Sequence, residues 1–236
     1  MRHRRLLQAL VISMLAGGFA AAGQAPHMMP PSAGPVTAGA AYPPVGAKWN
    51  IRVTESGIFH STVENRDVTA TSVSFNGRPG YGLTSNGTTR VLDPSTFNPI
   101  GIMQSGKAVV MDTPDEGLFS WPLWVGKSWD GRSSHADLLY GQVWPPAKFR
   151  ARVVAIEDVT VPAGTFKAFR IEYQGGIGSS STGGIRSGGG SPGFESHGTY
   201  WYAPGPELIV KSDVVRSGTN YRWGGRTTTE LLSTPR

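Results

Sequence analysis

The chain has 236 residues, no cysteine and a formal net charge of +6. Without cysteine there are no disulfides, no thiol chemistry and no lipid-modified cysteine near the N-terminus. The positive charges are scattered singly, so the clustered basic face of a nucleic-acid binder is absent from the sequence.

The first residues carry a targeting pattern. "MRHRR" is basic, "LLQALVISMLAGGFA" is apolar, and "AAG" supplies small residues for cleavage. Together they predict a Sec-type signal peptide over 1–22, with cleavage after Ala22 or, alternatively, after Ala25. Loss of Arg2, Arg4 and Arg5, with no acid in 1–22, leaves 6 − 3 = +3. No second long apolar run follows, so no transmembrane segment is expected in the mature chain. The expected location is periplasmic or secreted, in the cell envelope.

Residues 23–42 are rich in Pro, Ala and Gly and are expected to form a flexible spacer. Residues 43–236 suffice for a single domain that buries roughly 70% of its unfolded surface. No window keeps a helical apolar period free of Gly and Pro, whereas period-two runs are everywhere. "WNIRVTES" alternates Trp49, Ile51 and Val53. Asn76-Gly77 and Asn86-Gly87 fit hairpin turns in which both central residues take positive φ. Asp93-Pro94 starts a turn in "VLDPSTFNPI". A Val-Gly-x-x-Trp echo links "PPVGAKWN" at 43–50 to "PLWVGKSWD" at 122–130. It reads either as a duplicated half-domain or as one way of starting a strand used twice.

Residues 157–174 read "EDVTVPAGTFKAFRIEYQ". Pro162 fixes φ at a corner, and Gly164 can take the positive φ of a tight reversal. The turn sets register between two sticky runs and holds no chemistry. The Gly/Ser-rich stretch 175–193 is expected to be a flexible loop, either a tolerated insertion or a binding lid. "GTYWYAP", "ELIVKSDVV" and "RTTTELLS" complete the strands. The fold class expected is all-β and mainly antiparallel, a strongly curved sheet or half-open β-barrel with few or no helices.

Gly126-Lys127-Ser128 resembles the tail of a phosphate-binding loop, but Trp121 stands where the first glycine belongs. His27, His60, His135 and His197 lack ligand spacing, so no metal and no cofactor is expected. No Gly-x-Ser-x-Gly elbow occurs, and no catalytic residue is assigned. The acids to watch are Asp115-Glu116, Glu157-Asp158 and Glu172. Aromatics say more: four Trp lie between 121 and 144, and in Tyr200-Trp201-Tyr202 the tyrosines share one face while Trp201 takes the other. Core packing and an aromatic-lined groove both satisfy that pattern. For the groove, Trp124, Trp144, Trp201 and Tyr202 are the candidate ligand-binding residues, with Arg170 as partner for an anionic head group.

"VTVPAGTFKAFRIEY", "TYWYAPGPELIVKSD" and the terminal "TTTELLS" are similar to exported bacterial β-proteins of the TapB-like kind. "VLDPSTFNPI" resembles a signature of exported domains grouped by fold with the LolA/LolB lipoprotein carriers. The Gly/Ser insertion and "GPELIVKS" depart from the usual pattern. The resemblance implies a strongly curved antiparallel sheet and brings no catalytic residues. The expected function is a monomeric, non-enzymatic periplasmic binding protein for an apolar or amphipathic ligand, such as a lipid, lipoprotein segment or other envelope component. The alternatives are a structural or accessory subunit of an envelope assembly and, after that, an unrecognised hydrolase.

Overall fold

The computed structural model describes residues 36–57, 61–144, 146–177, 194–218 and 224–236. The described residues form strands and connections, with no helix among them. The first half holds β1 (Lys48–Ser56), β2 (Ser61–Phe75), β3 (Arg78–Ser85), β4 (Thr88–Leu92), β5 (Pro99–Gln104) and β6 (Lys107–Thr113). The second holds β7 (Ser128–Asp137), β8 (Gln142–Val143), β9 (Ala147–Val161), β10 (Gly164–Ile177), β11 (Phe194–Ala203), β12 (Leu208–Gly218) and β13 (Gly225–Ser233).

Every ladder is antiparallel. The order runs β6-β5-β4-β3-β2-β1-β13-β12-β11-β10-β9-β7, and β6 also pairs with β7. The expected curved sheet therefore closes into a 12-strand barrel, with β8 beside β7. Closure pairs each of the twelve barrel strands on both sides, and among the described residues the short β8 keeps an outer edge.

The turns follow their residues. Asn76-Gly77 has φ of 49° and 76°, and Asn86-Gly87 has 48° and 74°, as two-residue hairpins need. Ser105-Gly106 makes the same turn at 48° and 78°; serine seldom takes positive φ, so this reversal was not legible from its residue types. Pro162-Ala163 joins β9 to β10, and Gly164 has φ of 133°.

The Val-Gly-x-x-Trp echo is one strand-opening turn used twice. Gly46 (φ 97°) donates to Ala70 O at 2.8 Å, and Ala70 N donates back to Ala47 O at 2.9 Å. Gly126 (φ 93°) donates to Val153 O at 2.8 Å, and Val153 N returns to Lys127 O at 2.9 Å. Each turn opens a run of six barrel strands, β1–β6 and then β7 with β9–β13. Gly126-Lys127-Ser128 thus leads into a strand, not a helix.

Antiparallel order sends the connections alternately to two ends. The floor carries the 93–98 and 114–127 connections, Pro162-Ala163 and the 204–207 turn. The mouth carries Asn86-Gly87, Ser105-Gly106 and the 138–141 turn. Apolar packing concentrates at the floor in two clusters. One gathers Trp49, Val68, Val159, Ala168, Val210 and Leu231; the other gathers Phe119, Leu123, Val153, Phe169, Ile171 and Tyr202. Ala168 and Phe169 are neighbours on β10, yet each belongs to a different cluster. At Ala168–Phe169 β10 is therefore buried on both faces.

Two expected boundaries move. Residues 36–42, placed in the spacer by composition, belong to the fold: Ala38 bridges Leu123 and is buried, and Tyr42 joins both clusters. The Gly/Ser stretch does not begin at 175, because β10 continues through Ile177. Residues 178–193, His27 and His60 lie outside the described residues.

Candidate functional site: a charged tier inside the barrel

Strand register decides what faces the lumen. Tyr81 opposes Leu92, and Leu83 opposes Arg90, so Arg90 shares a face with the buried floor residues Tyr81 and Leu92. On the far wall Ile171 opposes Tyr200, and Tyr173 opposes Gly198, so Tyr173 and Tyr200 share the face of buried Ile171. Arg216 opposes Ser196 two positions beyond the buried Val214, so it too points inward.

The 114–127 connection turns into this lumen and forms its floor. Trp129 Nε1 donates to Gly117 O at 2.8 Å, and the Tyr173 hydroxyl donates to Glu116 O at 2.9 Å. Asn98, buried, exchanges two hydrogen bonds with the backbone of Phe119, and Trp121 Nε1 donates to Thr96 O at 2.7 Å. Gly117 sits at φ 64° with the Phe149 ring where a Cβ would go. Beneath, Tyr42 stacks on Phe97 at 4.7 Å, while the Tyr202 and Tyr81 hydroxyls donate to Ala41 O and Pro43 O at 2.7 and 2.6 Å. The N-terminal segment and the 114–127 connection so fill the floor with aromatic rings.

Charge lies above that floor. Arg90 Nη2 meets Glu116 Oε2 at 2.7 Å, and His135 Nδ1 meets Asp112 Oδ1 at 2.7 Å. Side-chain areas leave Arg90 and Glu116 45% and 40% reachable by solvent, although the wall surrounds them. Such side chains look into a wetted lumen and are not packed in the core. Confinement still governs their charge. Burial pushes the Glu116 carboxyl up despite the pull of Arg90, and Glu116 in turn holds the Arg90 guanidinium above its ordinary value. Burial likewise raises the Tyr200 phenol, with the Glu116 charge adding to it. Arg90 on β4 and Tyr200 on β11 stand on opposite sides of the ring, so one electrostatic tier spans the barrel.

That tier is incompletely paired by the chain. Arg216 acts on both Glu116 and Tyr200, yet it makes no ion pair among the described residues. Ser85 Oγ, Ser133 Oγ and Trp144 Nε1 are buried without a hydrogen-bond partner. Ser85 and Ser133 have lumen-side register, through Leu83 and through the Trp129–Ala151 pair. Trp144 packs 5.3 Å from the His135 ring. Buried polar atoms are rarely left unpaired, so the lumen-side serines are positions open to a partner, whereas a fourth orphan, Arg170 Nε, lies on the outer face.

The five residues singled out from sequence do not share one face. Trp124 is on the floor-side connection, with Lys127 Nζ 4.5 Å over its ring. Trp144 is buried beside His135, near the tier. Trp201 lies on the face opposite Tyr202, where Nε1 donates to Glu157 at 2.7 Å and Lys211 stands 5.7 Å over the ring. Arg170 opposes Trp201 and pairs with Glu157 at 3.5 Å. Tyr202 is 1% exposed in the floor core. The single aromatic face is thus corrected: alternation within "YWY" splits it, and closure sends the two sides to different environments. Of the acids watched, Glu116 lies in the tier, with Asp115 in the same connection, whereas Glu172 is exposed on the outside wall. Sequence reasoning missed Arg90, Arg216 and Asp112, because their convergence depends on closure. His135, expected to be a surface or structural histidine, pairs with the Asp112 carboxylate.

No protein-family model and no curated protein matches the chain. Three solved structures are similar over most of its length. One is a candidate exported protein of Bacteroides fragilis with a YmcC-like fold, 16% identical over 84% of this chain and 99% of that one, TM-score 0.43. A candidate lipoprotein of Parabacteroides distasonis is 11% identical over the same shares, TM-score 0.42. The hypothetical lipoprotein YmcC of Escherichia coli is 7% identical over 78% of this chain and 84% of its own, TM-score 0.36. At such scores the likeness transfers no function.

Proposed function

We propose that this is an exported, non-enzymatic binding protein whose lumen holds an amphipathic ligand by an anionic group. The observation that carries the reading is the unpaired Arg216 above a closed aromatic floor, accompanied by the orphaned Ser85, Ser133 and Trp144 atoms. A lumen-facing cation that no carboxylate of the chain pairs with attracts an anion. Hydroxyl groups of the lumen wall, Ser85 and Ser133, offer further directional bonds to such a ligand. The aromatic floor limits depth, so the ligand sits in the mouth half with its apolar part along the wall. Outward residues such as Arg52, Arg150, Arg152, Glu172, Lys211 and Glu230 are charged, the reverse of the apolar belt of a membrane-spanning barrel. Asp112 Oδ1 meets His135 Nδ1 at 2.7 Å and fixes the orientation of that ring beside the tier.

Native mass spectrometry of protein purified from its own source, followed by organic extraction, tests this. The expected result is a stoichiometric adduct bearing a carboxylate, phosphate or sulfate. Arg216→Glu should abolish it and Arg216→Lys should keep it. A bare mass, or an adduct indifferent to Arg216→Glu, overturns the reading.

A further inference from the structure

Besides the lumen, an ordered apolar projection stands out among the described residues. The β7–β8 turn at the mouth leaves Leu139, Tyr140 and Val143 exposed by 62%, 83% and 71%. Exposed Leu, Tyr and Val gathered in five residues are unusual on a protein surface otherwise rich in charge. The turn is held in shape: Asp137 Oδ1 accepts from Leu139 N at 2.9 Å and Tyr140 N at 3.2 Å, and Leu138 N donates to Val109 O at 2.9 Å. Gly141 completes the reversal at φ 63°.

Behind this tip runs a basic stripe on the same strands. On the outward face Arg132 directly opposes Lys148, with Arg150 and Arg152 following along β9. Like charges directly opposite in a ladder repel, and none of the four cations makes an ion pair among the described residues. The facing carboxylates are Asp130, opposite Arg150, and Glu172, opposite Arg152, so four cations stand against two acids. Asp137 is occupied by the turn's own amides.

We infer that this hairpin docks the barrel mouth onto an anionic lipid surface. Leu139, Tyr140 and Val143 enter the head-group boundary, while Arg132, Lys148 and Arg150 meet the anionic heads. An apolar tip alone gives weak, reversible adsorption, and neighbouring cations add attraction specific for anionic lipid. The occupant is a lipid surface and not a protein groove, because the tip protrudes and the stripe behind it is uncompensated. The inference rests on the tip and the outer wall, and it holds whatever the lumen carries.

The test is co-sedimentation of the purified protein with phosphatidylcholine vesicles, with and without phosphatidylglycerol. Binding is expected only with phosphatidylglycerol, falling as salt rises. Leu139→Glu with Tyr140→Glu should weaken it about tenfold or more, as should Arg132→Glu with Lys148→Glu. Val45→Glu, at an exposed floor-side position, should leave it unchanged. No binding by the wild type, wild-type binding by the tip variant, or an equal loss in Val45→Glu overturns the inference. If the tip variants unfold, Leu139→Trp decides: a blue shift of its added emission on vesicles supports insertion, and an unshifted emission refutes it.

Discussion

Single residues in this barrel are constrained by what surrounds them more than by their own type. Gly117 takes φ 64°, and a Cβ there would lie 2.0 Å from the Phe149 ring. Gly117→Ala should therefore cost about 3 kcal/mol or more in denaturant unfolding, from strain and overpacking together. Phe149→Leu in the same chain should recover part of that loss; no recovery would place the cost in the backbone alone. Tyr81 shows the same dependence on surroundings in its charge. Burial first, then the Glu207 charge, pushes its phenol from the ordinary 10.0 up to about 12. The folded protein therefore keeps this proton longer than the unfolded chain, so stability falls as pH rises from 10 to 12. Tyr81→Phe loses the bond to Pro43 O, worth about 1 kcal/mol at neutral pH. Its unfolding free energy should then decline less steeply than the wild type's across that alkaline window. Equal slopes would mean that Tyr81 is not the group responsible.

Elements were legible where a residue's own backbone preference settles the matter. Asn76-Gly77, Asn86-Gly87 and Gly164 took the positive φ that their residue types allow. Ser105-Gly106 was silent because serine carries no such preference. The Val-Gly-x-x-Trp echo was visible, but its meaning lay in hydrogen bonds to Ala70 and Val153, each on the following barrel strand. Because Gly46 and Gly126 adopt matching φ of 97° and 93°, Gly46→Ala and Gly126→Ala should destabilise alike, each by roughly 1–3 kcal/mol in thermal unfolding. Unequal costs would show that the two halves do not share this device in energy. Composition misled at 36–42, since Pro, Ala and Gly gave no hint that Tyr42 would find Phe97, Tyr81, Phe119 and Tyr202.

At the scale of the whole molecule, the barrel has two closing seams of unequal length. β1 pairs with β13 through seven registered pairs, Asn50 to Ser56, whereas β6 pairs with β7 only through Val110 to Thr113. Local opening draws on the weakest cooperative contacts. Hydrogen exchange should therefore be faster for the amides of Val110–Thr113 and Ser134–Asp137 than for those of the β1–β13 ladder. Slower exchange at β6–β7 would mean that the connection through the lumen, not the ladder, holds that seam. The seam also borders the site, for Asp112 and His135 face each other across it.

The sequence by itself determined the all-β antiparallel class, the hairpin turns and the absence of thiol chemistry. Each of these follows from local patterns: period two, positive-φ residues and composition. Only the tertiary structure decided which residues meet. Arg90, Glu116, Tyr200 and Arg216 come from β4, the 114–127 connection, β11 and β12, and no spacing along the chain joins them. Register places side chains on faces, and closure then chooses which face is enclosed. The same alternation that made "YWY" suggestive sent Tyr202 into the floor and Trp201 to Glu157 and Lys211, because a closed wall gives its two faces different solvents.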